Sequence, residues 1–389
     1  MDGLNKSMYE IGSDSAFSIL ARSNQLLSIG KDVINLGIGQ PDFPTPNNII
    51  ESACKALKDG HHGYTSSNGL LELRECVSND FRNRNNVEVD PNNILITPGA
   101  KAVIFYTLLM FGQAGAEIIT PDPGFIAYRS MIDYTGATVI PLPHRMENNF
   151  SFDADELLSL ITKKTRLIIF NSPGNPTGGV VPEKEFQKLA DGLAKHPNVF
   201  ILSDEIYSRI TFDGNKHKSL LSFPQIRNQV IVLDGWSKTY AMTGWRLGYG
   251  IFPKQLYPYA EKLAINCHSC VNTATQYAGI EALKSSQKSV EDMVEKFQKR
   301  RDFLVKELNK IDNIQCVNPG GAFYVFPKVT KEGFNSKDIS HELLEKKYLA
   351  TVPGSSFGPK GEGFIRISYA SNIQNLEKAI NLIKEFMIE

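Results

Sequence analysis

The chain carries no excess charge of either sign. Lys+Arg and Asp+Glu are each 42 in 389 residues, so the formal net charge is zero. Without a basic surplus there is no bulk electrostatic reason to seek nucleic acid or an acidic membrane. Neither is expected as a partner, and any substrate signal must be local. Cysteine is scarce. The five present, Cys54, Cys76, Cys267, Cys270 and Cys316, are odd in number and scattered, which reads as reduced thiols of a cytoplasmic protein. Long apolar runs are missing too. The longest clean one, Ala102 to Phe111, is half of the ~20 residues a membrane span requires. The opening Met-Asp-Gly-Leu-Asn-Lys-Ser lacks the apolar region of a signal peptide. A soluble, cytoplasmic protein is expected, with no fixed-period repeat and no low-complexity linker.

What is present is ordinary in bulk and specific in detail. Hydrophobic residues make up 42% and charged residues 22%, as in a globular protein, and the length exceeds what one compact core usually holds, so two domains are expected. Residues 1–46 read as an N-terminal arm, with a short helix from Ala16 to Leu27, the run Val33 to Leu36 and a Gly/Pro-rich stretch from Gly37 to Pro46. From 47 to 285, short β-branched runs alternate with helical patterns: Ile94–Ile96, Glu117–Ile119, Thr138–Ile140, Leu167–Phe170, Val199–Leu202, Val230–Leu233 and Leu247–Ile251. That alternation predicts an α/β domain with a mostly parallel sheet flanked by helices. Sites in such sheets lie at the carboxyl ends of the strands. Residues 286–389 begin with an amphipathic helix, Ser286 to Ile311, that bridges to a smaller α+β domain. This second domain is completed by the arm, by Gly321–Phe326 and Phe364–Ser368, and by a terminal helix from about Gln374.

The chemistry concentrates in Ser237-Lys-Thr-Tyr-Ala-Met-Thr-Gly-Trp-Arg-Leu-Gly-Tyr249. Lys238 follows a strand-like run and Arg246 lies eight residues on. A pocketed lysine forms a Schiff base with an aldehyde, and an arginine holds a phosphate. One cofactor carries both groups, pyridoxal 5′-phosphate (PLP). Other polar residues also fall just after strand-like runs. Asp204 and Tyr207 sit in Leu-Ser-Asp-Glu-Ile-Tyr, Asn175 in Asn-Ser-Pro-Gly-Asn-Pro-Thr-Gly, and Gly99, Ala100 and Lys101 in Thr-Pro-Gly-Ala-Lys. Taken singly, these are a strand-end helix cap, a turn and a helix start. Arg366, in Gly-Phe-Ile-Arg-Ile-Ser-Tyr, lies mid-strand among apolar neighbours. A buried arginine needs an anion, and its planar fork suits a carboxylate of the protein or of a substrate.

In this order and context the residues resemble class I, fold type I PLP-dependent aminotransferases of the aspartate aminotransferase kind, from Leu36 to Arg366. The resemblance implies a role for each. Lys238 would bind the cofactor covalently and, once displaced by the amino acid, shuttle a proton between Cα and C4′. Asp204 would keep the pyridine nitrogen protonated, and Asn175 and Tyr207 would donate to O3′. Gly99, Ala100, Lys101, Ser237 and Arg246 would hold the phosphate, and Phe125 would stack on the ring. Arg366 would bind the substrate α-carboxylate, with Asn175 and a backbone contact from Gly39. Tyr64 would reach the phosphate of the neighbouring subunit, which implies a homodimer with shared active sites. Many relatives have a serine three residues before the lysine where this chain has Gly235, which puts that phosphate contact in doubt.

The activity so implied transfers an amino group between an L-amino acid and a 2-oxo acid in two half-reactions, with aspartate and 2-oxoglutarate expected first. Aromatic, alanine or kynurenine specificity shares the same skeleton. A PLP lyase on the same fold is a rival, and a PLP-sensing regulator a remote one, since nothing basic precedes the pattern. Cys267-His-Ser-Cys270 has no second pair for zinc and no thioredoxin-like context; no metal is expected, and the segment is placed near the active-site wall. Gly37-Ile-Gly39 lacks the third glycine of a dinucleotide fingerprint. The charged run Glu291 to Arg301 reads as the solvated face of a helix.

Overall fold

The computed structural model describes residues 3–12 and 15–389; Met1, Asp2, Ser13 and Asp14, all in the expected arm, lie outside the described residues. Each short β-branched run forms a strand of one seven-stranded sheet. The strands are β1 (Ile94–Thr97), β2 (Glu117–Asp122), β3 (Thr138–Pro143), β4 (Thr165–Asn171), β5 (Phe200–Asp204), β6 (Val230–Gly235) and β7 (Gly248–Ile251). Their order is β1-β7-β6-β5-β4-β2-β3. All pairs are parallel except those made by β7, which runs antiparallel to β1 and β6. The near-continuous apolar character of the runs has a direct cause. Leu167 and Ile169 enter one hydrophobic cluster while Ile168 and Phe170 enter the other, so both faces are buried under helices.

The bridging helix spans Lys288–Leu308 and buries Val290, Met293, Phe297, Leu304 and Leu308 at helical spacing. The expected solvated run is corrected at its end: Arg301 is 1% exposed. Its guanidinium lies over the Phe212 ring, 4.9 Å from the centroid, and pairs with Asp213 and Asp302. The helix turns this long side chain inward because an acidic partner from another segment waits there, which charge counting along one helix does not reveal.

C-terminal to that helix, β8 (Tyr324–Val325), β9 (Val352–Pro353) and β10 (Ile365–Ser368) form an antiparallel sheet with β10 central. The arm joins this region. Its helix spans Ser15–Ser28, and Ile34–Asn35 pairs in parallel with Leu349–Ala350. The terminal helix runs Ile373–Ile388 and buries Leu376, Ala379, Ile380, Ile383 and Phe386. No helix among the described residues is long and apolar enough to cross a membrane.

Candidate active site

The carboxyl edge of the large sheet gathers most of the residues singled out in the sequence. Strand β4 ends at Asn171 and β5 at Asp204, and the parallel register places these two side by side. Asn171 ties the edge together. Its Nδ2 donates to the Asp204 carbonyl at 3.0 Å and its Oδ1 accepts from the Asn175 N–H at 2.7 Å. Asn175 is thereby fixed close to Asp204 rather than left on a free turn. The Asp204 carboxylate accepts from the Tyr128 hydroxyl at 2.5 Å and from the Ile206 N–H at 3.2 Å. Burial pushes its carboxyl up to about 7 against the lowering effect of those two donors, with Asp234 and Glu205 adding repulsion. A carboxyl so poised gains most from a cationic hydrogen-bond partner.

Lys238 lies in the short helix Trp236–Thr239 directly after β6. Its Nζ donates to the Gly39 carbonyl at 2.5 Å and sits 5.9 Å from the Phe323 ring centroid. Burial lowers its pKa to about 7, and the charges of Arg366, Arg246 and Lys101 act in the same direction against Asp204. Near neutral pH a substantial fraction of the amine is therefore uncharged and nucleophilic, unlike an ordinary lysine. Ser237 is buried beside it. A Cβ on Gly235 would approach the Gly248 Cα and the Leu247 carbonyl oxygen to 2.9 Å. The backbone here leaves no room for a side chain at residue 235, so the hydroxyls flanking the lysine are those of Ser237 and Thr239.

At the end of β1 the backbone turns through Gly99, whose φ of +84° favours glycine, and Ala100 caps the helix Lys101–Phe111. A Cβ on Gly99 would fall on the Arg246 guanidinium. A cation thus lies against a bare helix N-terminus, an arrangement suited to an anion. Arg246 is exposed, with Nη1 donating to the Thr243 carbonyl at 2.7 Å. The Lys101 ammonium lies 5.2 Å from the Phe125 ring centroid and 6.0 Å from that of Phe17. Phe125 itself is half-buried, edge-on to Tyr128.

Arg366 comes from β10, opposite Val352 of β9. It is 3% exposed. Nη1 donates to Asn175 Oδ1 at 2.8 Å and Nη2 donates to the Gly37 carbonyl. Nε has no partner, and no carboxylate pairs with the guanidinium among the described residues. Its plane lies over Tyr324 and Phe357, 4.6 and 5.0 Å from the centroids. Gly37 and Gly39 bring the arm to both Arg366 and Lys238. Tyr64 stands apart from this cluster and is 92% exposed.

Four residues the sequence reading did not assign complete the site: Tyr128 on Asp204, Asn171 on Asn175, Phe323 beside Lys238, and Tyr324, whose hydroxyl is 2.8 Å from that of Tyr207. The one signal in the sequence was the spacing of Tyr128, three residues past Phe125; the others are read only from packing. The donor set fits PLP. The Gly99 cradle with Arg246 suits the phosphate, buried Asp204 suits the ring nitrogen, and the Lys238 amine, with its lowered pKa, suits the aldehyde.

Comparisons with known proteins point the same way. The family model for aminotransferase class I and II matches residues 31–383. An aspartate aminotransferase of Pyrococcus abyssi is 39% identical over 362 residues, 92% of each chain. Aromatic-amino-acid aminotransferase 2 of Thermococcus litoralis is 38% identical over 360 residues, again 92% of each. The solved aspartate aminotransferase of Thermus thermophilus with maleate superposes with a TM-score of 0.94 at 31% identity, over 99% of this chain and 100% of that one.

Proposed function

The chain belongs to the class I and II aminotransferases and is a transaminase, and from that premise we propose that it uses PLP to exchange amino groups between aspartate and 2-oxoglutarate. The observation that carries this reading is Arg366, a buried guanidinium that no carboxylate among the described residues neutralises, beside a lysine held at about 7. Such a charge calls for an anion from outside the chain, and the planar fork suits an α-carboxylate. Arg246 with the helix start at Ala100 would take the phosphate. The names of several relatives support aspartate as the amino donor.

Bound PLP supplies the electron sink that makes a substrate Cα–H acidic. The rest falls to the chain. Arg366 and Asn175 fix the substrate carboxylate and so the direction of the Cα–H bond. Lys238 anchors the cofactor and, once its amine is free, removes the Cα proton, a task suited to a base near 7. Asp204, oriented by Tyr128, holds a proton on the ring nitrogen. Asn175 and Tyr207 donate to the phenolic oxygen, and Phe125 packs on the ring. In the second half-reaction Lys238 returns the proton to the carbon of the incoming 2-oxo acid.

A homodimer completes this reading, with exposed Tyr64 reaching the partner's phosphate. So does a division into an arm (1–46), a large cofactor domain (47–285) and a small domain (286–389) in a soluble, cytoplasmic protein. The deciding measurement is the absorbance of the PLP-loaded protein before and after each amino acid. Loss of the visible band on adding aspartate, with oxaloacetate released, is expected. Turnover of alanine or phenylalanine at least ~10-fold more efficient than aspartate, a difference of about 1.4 kcal/mol, would overturn the aspartate assignment. Pyruvate and ammonia released without an acceptor would point to a lyase instead.

A further inference from the structure

The site places a second tyrosine hydroxyl against the one assigned to the cofactor. Tyr324 Oη lies 2.8 Å from Tyr207 Oη, and both side chains are buried. Their rings meet edge to face with centroids 5.8 Å apart. The contact is long-range and held from both sides. After Tyr207 the chain bonds to the segment before Tyr324, with the Ala322 N–H donating to the Ile210 carbonyl at 2.9 Å and the Phe212 N–H to the Gly320 carbonyl at 3.0 Å. Tyr324 pairs with Ser368 across β8 and β10. It is therefore the diagonal, same-face neighbour of Arg366, which explains the guanidinium lying 4.6 Å from its ring centroid. A Cβ on Gly39 would fall on the Tyr324 hydroxyl, so that hydroxyl has its place because residue 39 has no side chain.

Each phenol has one proton to give and lone pairs to accept with. A Tyr207 proton committed to the cofactor's phenolic oxygen is unavailable to Tyr324, so the bond between the two hydroxyls must be donated by Tyr324. A donor behind an O–H makes that O–H a stronger donor in turn. We propose that Tyr324 is a positioning residue for the reaction: its hydroxyl donates to Tyr207 and so directs the Tyr207 proton at the cofactor, while its ring carries the Arg366 guanidinium. This rests on the PLP reading above. One side chain then links the group that stabilises the cofactor's phenolate to the group that binds the substrate carboxylate.

The test is a spectrophotometric pH titration of the PLP-loaded protein, following the visible band of the Lys238-bound cofactor. The samples are wild type, Tyr207→Phe, Tyr324→Phe, the double variant and Gly39→Ala. Loss of the hydroxyl in Tyr324→Phe should raise the midpoint by about 0.5 to 1 pH unit. The double variant should match Tyr207→Phe alone, because Tyr324 acts through Tyr207. Gly39→Ala, which displaces the hydroxyl, should shift the midpoint in the same direction. KM for the amino acid should hold in Tyr324→Phe, which keeps the ring, and rise in Tyr324→Leu. A midpoint unmoved by Tyr324→Phe, or shifts that add in the double variant, overturns the proposal. A midpoint unmoved by Tyr207→Phe overturns instead the assignment of Tyr207 to the cofactor, and is told apart by that variant alone.

Discussion

Arg301 and Arg366 are both buried, 1% and 3% exposed, and both lie over an aromatic ring, yet they do opposite things. Arg301 is saturated. Asp213 meets it with two hydrogen bonds at 2.6 and 2.8 Å, Asp302 accepts from Nε at 2.7 Å, and the Pro319 carbonyl accepts at 2.9 Å. Arg366 has two neutral oxygens, from Asn175 and Gly37, and an orphaned Nε. Desolvating a guanidinium is costly in either place. In the first the protein compensates the charge and the arginine joins the bridging helix to the loop at Asp213. In the second no carboxylate among the described residues compensates the charge, which is why a ligand is proposed there. Burial alone thus does not mark a functional arginine; burial without a counter-charge is what singles Arg366 out as the proposed one.

Replacement separates the two most sharply. Arg366→Leu should lower kcat/KM for aspartate by about 10²- to 10³-fold, the loss expected when a buried charge partner is removed. Its melting temperature should stay level or rise, since no ion pair is lost and the orphaned N–H goes. A large fall in stability would place Arg366 with the structural arginines. Arg301→Met should do the reverse, costing about 2 kcal/mol of stability in denaturant unfolding, at the low end for a buried pair because Asp213 and Asp302 can be re-solvated. The folded fraction should keep its kcat/KM.

A smaller effect sharpens the same contrast. A non-reacting dicarboxylate at ~100 times its Kd should stabilise the wild type by about 2.7 kcal/mol. Arg301→Met should respond likewise, and Arg366→Leu should not. An equal response in all three would mean that the anion binds elsewhere.

The smallest effect is in pH dependence. Below about 7 Lys238 is a charged ammonium and above it a free amine. The rate at which the apo chain captures PLP should therefore rise with pH through this region, well below where an ordinary lysine responds. Arg366 is among the charges that depress Lys238. Removing it relieves repulsion on the ammonium, so the inflection should move to higher pH in Arg366→Leu and stay put in Arg301→Met.

Much of this arrangement was legible beforehand. All seven runs of the large sheet became strands, because a sheet buried on both faces requires short β-branched segments regardless of what packs on them. Lys238, Asp204 and Asn175 were expected just after strand-like runs; Lys238 and Asn175 follow strands and Asp204 is the last residue of one, since strand ends in a parallel sheet are set by local sequence. Arg301 was misread because its partner, Asp213, lies 88 residues away in the chain, and no local pattern predicts that pairing. Tyr324 went unassigned for the same reason: within its own segment it is one aromatic among several in Ala-Phe-Tyr-Val-Phe.

The sequence by itself determined the alternation of strands and helices, the polar residues at the strand ends and the family they signal. These follow from local periodicity and turn chemistry, which act over a few residues. Only the tertiary structure decided which buried arginine is neutralised, which hydroxyl stands behind Tyr207, and that Gly37 and Gly39 of the arm reach Arg366 and Lys238 across some 200 to 330 residues of chain. The physical reason is that charge compensation and hydrogen-bond direction depend on neighbours in space, and those neighbours exist only once segments far apart in the chain have folded together.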